Sequence, residues 1–351
     1  LKQRVPGLVQ HWHCPSLPDA GLMYGANLET IPPGVDGYAA LAAVKQRVSR
    51  PPDGPAPGSA EAEISYLRSD HMLVRFLIAR QWDVEKAVTM LREHYRWLAE
   101  KRMSALLLDP FPEEETIKRY YPSTYHGTDK AGRPVYIERP GLIDMPRLLQ
   151  LTTAERLVQY CFAQSEIQMR RRLPACSLVR GTVIDKSLNI VDLEGLGFSV
   201  ATHAVARRVV KEIVTAISNH YPEMMGRLLI INAPRVFGLA WSFVKPMLDE
   251  KTITKISIYS TDRQTWVPAL LELVDADQLP ALFGGNCRCN GRDPISCMMC
   301  VKGPWTQQEV IDILDSHSLE YLMTPQGART LMEKRAAEAP APAAAEPAPL
   351  A

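Results

Sequence analysis

Beyond residue 130, short apolar segments alternate with longer helical patterns, and this alternation constrains the fold more than any other feature of the chain. Apolar runs of strand length lie at about 134–139, 187–193, 227–232 and 255–259. Apolar residues recur at helical spacing between them, near 153–171, 202–219 and 235–249. Because strands joined by helices of this length pair in parallel, we predict an α/β layer with a largely parallel sheet.

A helical bundle is predicted before this layer. Apolar residues recur at helical spacing from Glu61 to Met103, with Asp83 as the predicted N-cap of the second half. A short helix over about 37–49 and a Pro/Gly-rich linker over 51–59 come before it. The predicted divisions are an extension with its linker (1–60), the bundle (61–110), an α/β lobe (111–286), a Cys-rich segment with C-terminal helices (287–335) and a disordered tail (336–351) rich in Ala and Pro.

The composition excludes several classes of protein. The 351 residues are 46% hydrophobic and carry a net charge of +1, which is typical of a soluble globular protein and favours no nucleic acid partner. The most apolar stretch, 228–248, is interrupted by Asn, Pro, Arg and Lys, so we predict no transmembrane helix. The first residues show no signal-peptide pattern. We therefore expect a cytoplasmic monomer.

Short catalytic signatures are absent from the sequence. It contains no Gly-x-Gly-x-x-Gly, no Walker-type Gly-x-x-x-x-Gly-Lys, no Gly-x-Ser-x-Gly and no His-Glu-x-x-His. The eight histidines are scattered, and no serine or cysteine near His220 completes a recognisable nucleophile arrangement. These observations favour a binding protein over an enzyme.

The segment 236–249 is unusually apolar for a helix. Ser242, Lys245 and Asp249 fall on one narrow arc, and the rest of the circumference is apolar. The pattern fits a buried helix. It also fits a gate, with one side on an apolar cavity and another on a membrane, for which Gly238 and Pro246 would be hinge points.

Four of the seven cysteines lie within 14 residues. The pairs Cys287-x-Cys289 and Cys297-x-x-Cys300 could supply four thiolates to a tetrahedral zinc ion. The gaps are shorter than those of common zinc ribbons or fingers, so free or redox-active thiols are the alternative.

Several motifs together resemble the CRAL-TRIO lipid-binding family, in particular its secretory-pathway phosphatidylinositol/phosphatidylcholine transfer proteins. The resemblance is carried by Tyr221-Pro222-Glu223, Ile230-Ile231-Asn232-Ala233-Pro234 and Lys245-Pro246-Met247-Leu248-Asp249. Further matching segments follow the family's order at 73–80, 126–136, 172–177, 191–195 and 279–285.

The resemblance implies an N-terminal helical bundle and an α/β lobe whose sheet floors a lipid cavity. A mobile helix at 236–249 would close this cavity, with Phe237, Trp241, Phe243 and Met247 as gate and membrane contacts. The implied function is exchange of phosphatidylinositol and phosphatidylcholine between membranes, without catalysis, in lipid homeostasis and vesicle trafficking. The protein would associate peripherally with the Golgi or other internal membranes.

The resemblance also implies two sets of headgroup residues. Those for phosphatidylinositol are Arg80, Glu223, Thr252 and Lys255, and those for phosphatidylcholine are Tyr125, Tyr136, Ser187 and Asn189. Gln81 and Met224 stand where the family often has basic residues, and Asn189 replaces its usual Thr. A carrier of a sterol, tocopherol or retinoid is the main alternative, although the phosphate-binding set favours a phospholipid. A lipid hydrolase is a further alternative.

Overall fold

The computed structural model of the chain describes residues 31–48, 69–108, 111–198, 202–289, 291 and 295–338. The predicted linker at 51–59, the predicted bundle residues 61–68 and the tail beyond Glu338 lie outside these ranges. Among the helices within these ranges, none combines the length and the apolar character that crossing a bilayer requires.

The N-terminal helices pack around a shared apolar core. Leu73, Phe76, Leu77 and Leu91 are fully buried in this core. Asp83 is the N-cap that the sequence predicts, since its carboxylate accepts a hydrogen bond from the Lys86 backbone N–H at 3.1 Å. The helices are α1 (Gly37–Val48), α2 (Asp70–Ala79), α3 (Val84–Glu100), α4 (Met103–Leu108) and α5 (Glu114–Tyr120).

One five-stranded sheet follows, and its order across the sheet is the order along the chain. The first two strands are antiparallel and the other pairs are parallel, which confirms the predicted largely parallel sheet. The first strand was not predicted from the sequence. The strands are β1 (Ser123–Thr128), β2 (Pro134–Glu138), β3 (Ser187–Asp192), β4 (Met225–Ile231) and β5 (Ile256–Ile258).

The two faces of the sheet have different roles. On one face, strand residues such as Ile137 and Ile190 are fully buried against α12 (Arg263–Leu273), mainly around Trp266 and Leu270. Side chains alternate along a strand, so the neighbouring positions point to the opposite face. That opposite face is the floor of a cavity.

The helical segment after β2 is continuous but irregular. The helix α7 (Ala154–Ile167) passes through a π-helical turn (Gln168–Arg172) into α8 (Leu173–Arg180). Pro174 has no N–H to donate to a carbonyl four residues earlier, which accounts for the widened turn. The helix α6 (Met145–Leu151) precedes α7, and α9 (Ala204–His220) follows β3.

The predicted gating helix is shorter than 236–249. It consists of α10 (Phe237–Val244) and a 3-10 turn (Lys245–Met247), because Pro246 cannot continue the α-helical hydrogen bonds. Asp249 lies beyond it as the N-cap of α11 (Glu250–Thr254).

The C-terminal helices pack against α8. Val310, Ile313 and Leu331 bury their side chains against Ala175 and Leu178. The last helix ends at Glu338, so the first three residues of the predicted disordered tail are helical. The helices on α8 are α14 (Gln308–Ser316), α15 (Leu319–Leu322) and α16 (Pro325–Glu338), whereas the short helix α13 (Ser296–Met299) before them packs against β1.

Candidate functional site

A cavity of about 1040 Å³ lies between the sheet and the helices α7, α9 and α10. Strand register places Tyr125, Tyr136, Asn189, Leu228 and Ile256 in one row across all five strands. All five side chains line the cavity. Its volume slightly exceeds the roughly 300–1,000 Å³ of small-molecule pockets, so it can hold a large ligand.

The helix α10 forms an apolar wall of this cavity. Phe237, Trp241 and Phe243 line it, and the fourth predicted gate residue, Met247, does not. No side chain of α10 is fully buried, and Leu239 is 46% exposed on the outer side. The gate assignment stays a prediction, and the structure gives α10 one side on the cavity and one on solvent.

Three charged side chains form a cluster at one end of the cavity. Glu223 accepts hydrogen bonds from Lys251 at 2.8 Å and from Lys255 at 3.2 Å. Burial works to raise the pKa of Glu223, but the two lysines outweigh it, so the pKa is lowered. Lys251 is absent from the set implied by the sequence, and it adds a second ammonium group beside Glu223.

A buried arginine fixes the backbone of Glu223. The φ angle of Glu223 is +58°, in the left-handed region that non-glycine residues rarely occupy. Arg75, on α2, donates to the carbonyls of Pro222 at 3.3 Å and Glu223 at 3.0 Å, and also to that of Asp185. Arg80, the C-cap residue directly after this helix, lines the cavity.

Thr252 lines the cavity, but its hydroxyl has a partner within the chain. It donates to Asp249 at 2.7 Å, while the Thr252 backbone N–H donates to the other oxygen of the same carboxylate at 2.7 Å. This is the cap of α11. To donate to a phosphate, the Thr252 hydroxyl would have to rotate away from Asp249.

The two predicted tyrosines lie together beside an arginine. The ring centroids of Tyr125 and Tyr136 are 4.8 Å apart, and the Arg172 guanidinium lies 3.9 Å from the Tyr125 centroid. The Tyr125 hydroxyl donates to Gln168, and burial raises its pKa to about 12. Gln168 and Arg172 belong to the π-helical turn, so this irregularity directs two polar side chains at Tyr125.

Arg172 retains hydrogen-bonding capacity. Its guanidinium donates to the Gln164 side chain at 2.7 Å and to the Gln164 carbonyl at 3.2 Å. Within the described part of the chain, the buried Nε of Arg172 and Nε2 of Gln168 have no hydrogen-bond acceptor. Because buried donors are rarely left unpaired, these atoms are suited to an anionic ligand group.

Ser187 lies between the two predicted sets of headgroup residues. Its hydroxyl donates to Asn189 at 2.7 Å, and the Met224 carbonyl, directly after Glu223, lies 3.3 Å from it. Met224 is buried and lines the cavity, and Gln81 is an exposed lining residue with φ of +53°. The structure therefore brings all eight predicted headgroup residues to a single cavity.

A carboxyl group also lies in the cavity. Glu138 lies on β2, two positions after Tyr136, and accepts a hydrogen bond from the Tyr121 hydroxyl. Burial raises the pKa of Glu138. Sequence reasoning missed Glu138 and Lys251, although strand alternation places Glu138 on the same face as Tyr136 and could have identified it.

A cluster of cysteines lies on the side of β1 that faces away from the cavity. It contains three of the four predicted cysteines and one histidine. The sulfurs of Cys287, Cys289 and Cys297 lie close together, and His126 joins them. Cys300 is not among these four residues, whose ligand atoms lie within 4.8 Å of one another.

Comparisons with known proteins agree with this architecture. Residues 118–285 match the CRAL/TRIO domain, and residues 40–93 match the N-terminal domain of CRAL/TRIO proteins. The Sec14 cytosolic factor of Schizosaccharomyces pombe is 37% identical over 241 residues, which cover 68% of this chain and 81% of that protein. The chain belongs to the CRAL/TRIO family, in its Sec14-like branch.

Plant relatives are longer than the matched region. The phosphatidylinositol/phosphatidylcholine transfer protein SFH4 of Arabidopsis thaliana is 41% identical over 242 residues, which cover 69% of this chain but only 39% of that protein. For SFH12 of the same plant the identity is 39%, and 44% of that protein is covered. The crystal structure of Sfh5 shares the fold, with a TM-score of 0.52 at 17% identity over 73% of this chain and 86% of that one.

Proposed function

We propose that the chain binds phosphatidylinositol and phosphatidylcholine in this cavity and exchanges them between membranes. The observation that carries the proposal is the single cavity with an apolar wall and two separate polar groups of side chains. Relatives named as phosphatidylinositol/phosphatidylcholine transfer proteins support it. In cells the exchange would serve lipid homeostasis and vesicle trafficking at the Golgi or other internal membranes.

An enclosed cavity is what lipid exchange requires. At about 0.8 kcal/mol per methylene, exposing one 16-carbon acyl chain to water costs roughly 13 kcal/mol. The apolar wall formed by Phe237, Trp241 and Phe243 would cover the acyl chains during transit. Opening of α10 against a bilayer would then release the lipid without exposing it to water, with Trp241, Phe243 and Met247 in contact with the membrane.

The two polar groups fit different headgroups. Arg80, Lys251 and Lys255 provide three positive charges against Glu223, enough to neutralise a phosphate, and Glu223 can accept from inositol hydroxyls. The positive charge of Lys251 compensates in part for the absence of basic residues at positions 81 and 224, where Gln81 and Met224 stand. At the other group, the Arg172 Nε is suited to the phosphate of phosphatidylcholine.

The choline ammonium would face aromatic and acidic side chains. Arg172 covers one face of Tyr125, and the rings of Tyr136 and Trp305 also lie close to it, so the choline ammonium would meet the Tyr136 ring in a cation–π contact. Glu138 would supply a nearby negative charge. A sterol, tocopherol or retinoid, the cargo of the alternative carriers, has no phosphate for Arg172, Lys251 and Lys255 to bind.

Transfer of labelled phosphatidylinositol and phosphatidylcholine between vesicles tests the proposal. Lys255→Ala should reduce phosphatidylinositol transfer by about 10-fold or more, because a charged hydrogen bond is lost. Tyr125→Ala with Ser187→Ala should instead reduce phosphatidylcholine transfer. Lys211→Ala, at an exposed position outside the cavity lining, is the matched control. Equal loss of both lipids in each variant would contradict the assignments, and release of fatty acid would indicate a hydrolase.

A further inference from the structure

Four side chains from separate parts of the chain converge beside the edge strand β1. His126 lies on β1, Cys287 and Cys289 lie after Phe283 at the end of the lobe, and Cys297 lies on α13. The imidazole and the three sulfurs offer ligand atoms that all lie within 4.8 Å of one another. We propose that these four residues bind a zinc ion in a structural Cys3His site.

The measured separations fit a tetrahedral metal site. The sulfurs of Cys287 and Cys289 are 3.8 Å apart, and the Cys289 sulfur is 3.9 Å from Nδ1 of His126. Tetrahedral zinc with Zn–S bonds of about 2.3 Å places two sulfurs about 3.8 Å apart. The described cysteines form no disulfide, so these sulfurs are free to bind a metal.

Backbone hydrogen bonds hold the cysteine segment on the lobe independently of any metal. The Cys287 N–H donates to Leu279 at 3.1 Å, and the Cys287 carbonyl accepts from Ala281 at 2.9 Å. The Gly127 N–H, next to His126, donates to the Lys302 carbonyl at 2.7 Å. The ligands are therefore preorganised by the fold, which favours binding because little chain entropy is lost.

The surroundings suit a zinc–thiolate centre. Three thiolates and Zn²⁺ carry a net charge of −1, and the Lys302 ammonium lies 3.4 Å from the Cys287 sulfur, where it offsets that charge. His126 is fully buried, which favours the neutral imidazole that binds metals.

His126 therefore takes the position in the cluster that the sequence predicts for Cys300. The backbone of Cys300 forms a hydrogen bond with the His126 side chain. The Cys300 carbonyl also accepts from Thr124 at 2.9 Å. Such contacts orient an imidazole ligand. The Cys300 side chain also forms a hydrogen bond with Cys289, so Cys300 borders the site through both its backbone and its thiol. The metal would fasten this segment to β1, whose neighbouring residue Tyr125 lines the cavity.

Cobalt substitution of the full chain tests the donor set. We expect one Co²⁺ per chain, the visible bands of tetrahedral cobalt, and a thiolate-to-cobalt charge-transfer band with the intensity of three thiolates. Cys297→Ser and Cys287→Ser should each abolish stoichiometric binding of both Co²⁺ and Zn²⁺. Cys300→Ser is the matched control and should retain the metal and the three-thiolate spectrum.

The histidine is tested by two variants. His126→Ala should lower zinc affinity by at least 10-fold in competition with a chromogenic chelator, whereas the exposed His317→Ala should leave it unchanged. Should His126→Ala fail to fold, His126→Cys should bind zinc and give a four-thiolate cobalt spectrum. A four-thiolate spectrum in the unaltered chain that is lost in Cys300→Ser would overturn the assignment of His126. Substoichiometric metal together with a disulfide among these cysteines would overturn the site altogether.

Discussion

Arg75 does not line the cavity, yet it fixes the turn that presents Glu223 to it. Its guanidinium donates to three backbone carbonyls from two separate turns, and its side chain is fully buried on α2. A left-handed backbone at Glu223 persists only where such surroundings stabilise it. The position of the Glu223 carboxylate in the cavity thus depends on Arg75, which does not line the cavity.

Arg75→Lys should destabilise the protein. The single ammonium nitrogen of lysine cannot replace two guanidinium nitrogens that donate in different directions, so at least one buried carbonyl loses its donor, and the free energy of unfolding should fall by about 1–3 kcal/mol. Urea denaturation measures the change, with the exposed Arg92→Lys as control. Equal stability of Arg75→Lys and the unaltered chain would show that these contacts contribute little.

The ion pairs of Glu223 should make stability depend on pH in a defined direction. Because its folded-state pKa is lowered below the ordinary 4.5, its contribution is full at pH values above 4.5 and is lost as the pH falls through the lowered value. The melting temperature of the unaltered chain should fall as the pH is lowered below about 5. In Glu223→Gln this fall should be smaller. Glu250→Gln, at an exposed position on α11, is the matched control. An unchanged pH profile in Glu223→Gln would contradict the ion-pair assignment.

At the scale of elements, α10 is a loosely packed wall of the cavity. It has eight residues and no fully buried side chain, and a helix of this length is marginal without tertiary contacts. Its aromatic residues meet the cavity, and Phe243 also lies 4.8 Å beneath the Arg207 guanidinium of α9. Such an element can open at a small cost in free energy.

Changes in helix propensity should alter lipid exchange in opposite directions. Gly238 has open space where a Cβ would lie, so Gly238→Ala should stabilise the closed helix by about 0.5–1 kcal/mol and slow transfer about two- to five-fold. The exposed Ser242→Gly should destabilise the same helix and accelerate transfer. The rates of lipid transfer between vesicles, compared at equal lipid occupancy, measure the effects of both substitutions. Rates that shift in the same direction would exclude α10 as the gate.

The sequence predicts most elements of the lobe, and the missed ones have a common cause. Strands β2 to β5 are predicted correctly because their apolar side chains give a clear signal. The strand β1 reads Ser-Thr-Tyr-His-Gly-Thr, whose polar residues face the cavity and the cysteine cluster instead of an apolar core. The sequence does not identify Lys251 and Arg172 as cavity residues, because only the tertiary fold brings α11 and the π-helical turn to the cavity.

At the scale of the whole molecule, the lipid should be part of the stable structure. A cavity of about 1040 Å³ without its ligand leaves apolar side chains in contact with water. A ligand at 100 times its Kd stabilises a protein by about 2.7 kcal/mol. Addition of phosphatidylinositol or phosphatidylcholine to delipidated protein should therefore raise the melting temperature, and cholesterol should not. A rise with cholesterol alone would favour the sterol carrier.

Mass spectrometry of the lipid that copurifies with the chain from cells is the sharpest test of whether the cavity binds phosphatidylinositol and phosphatidylcholine. We expect one phospholipid per chain, divided between phosphatidylinositol and phosphatidylcholine. Lys255→Ala should shift this mixture towards phosphatidylcholine. Purification with a sterol, tocopherol or retinoid in place of a phospholipid, or with a mixture that Lys255→Ala leaves unchanged, would contradict this expectation.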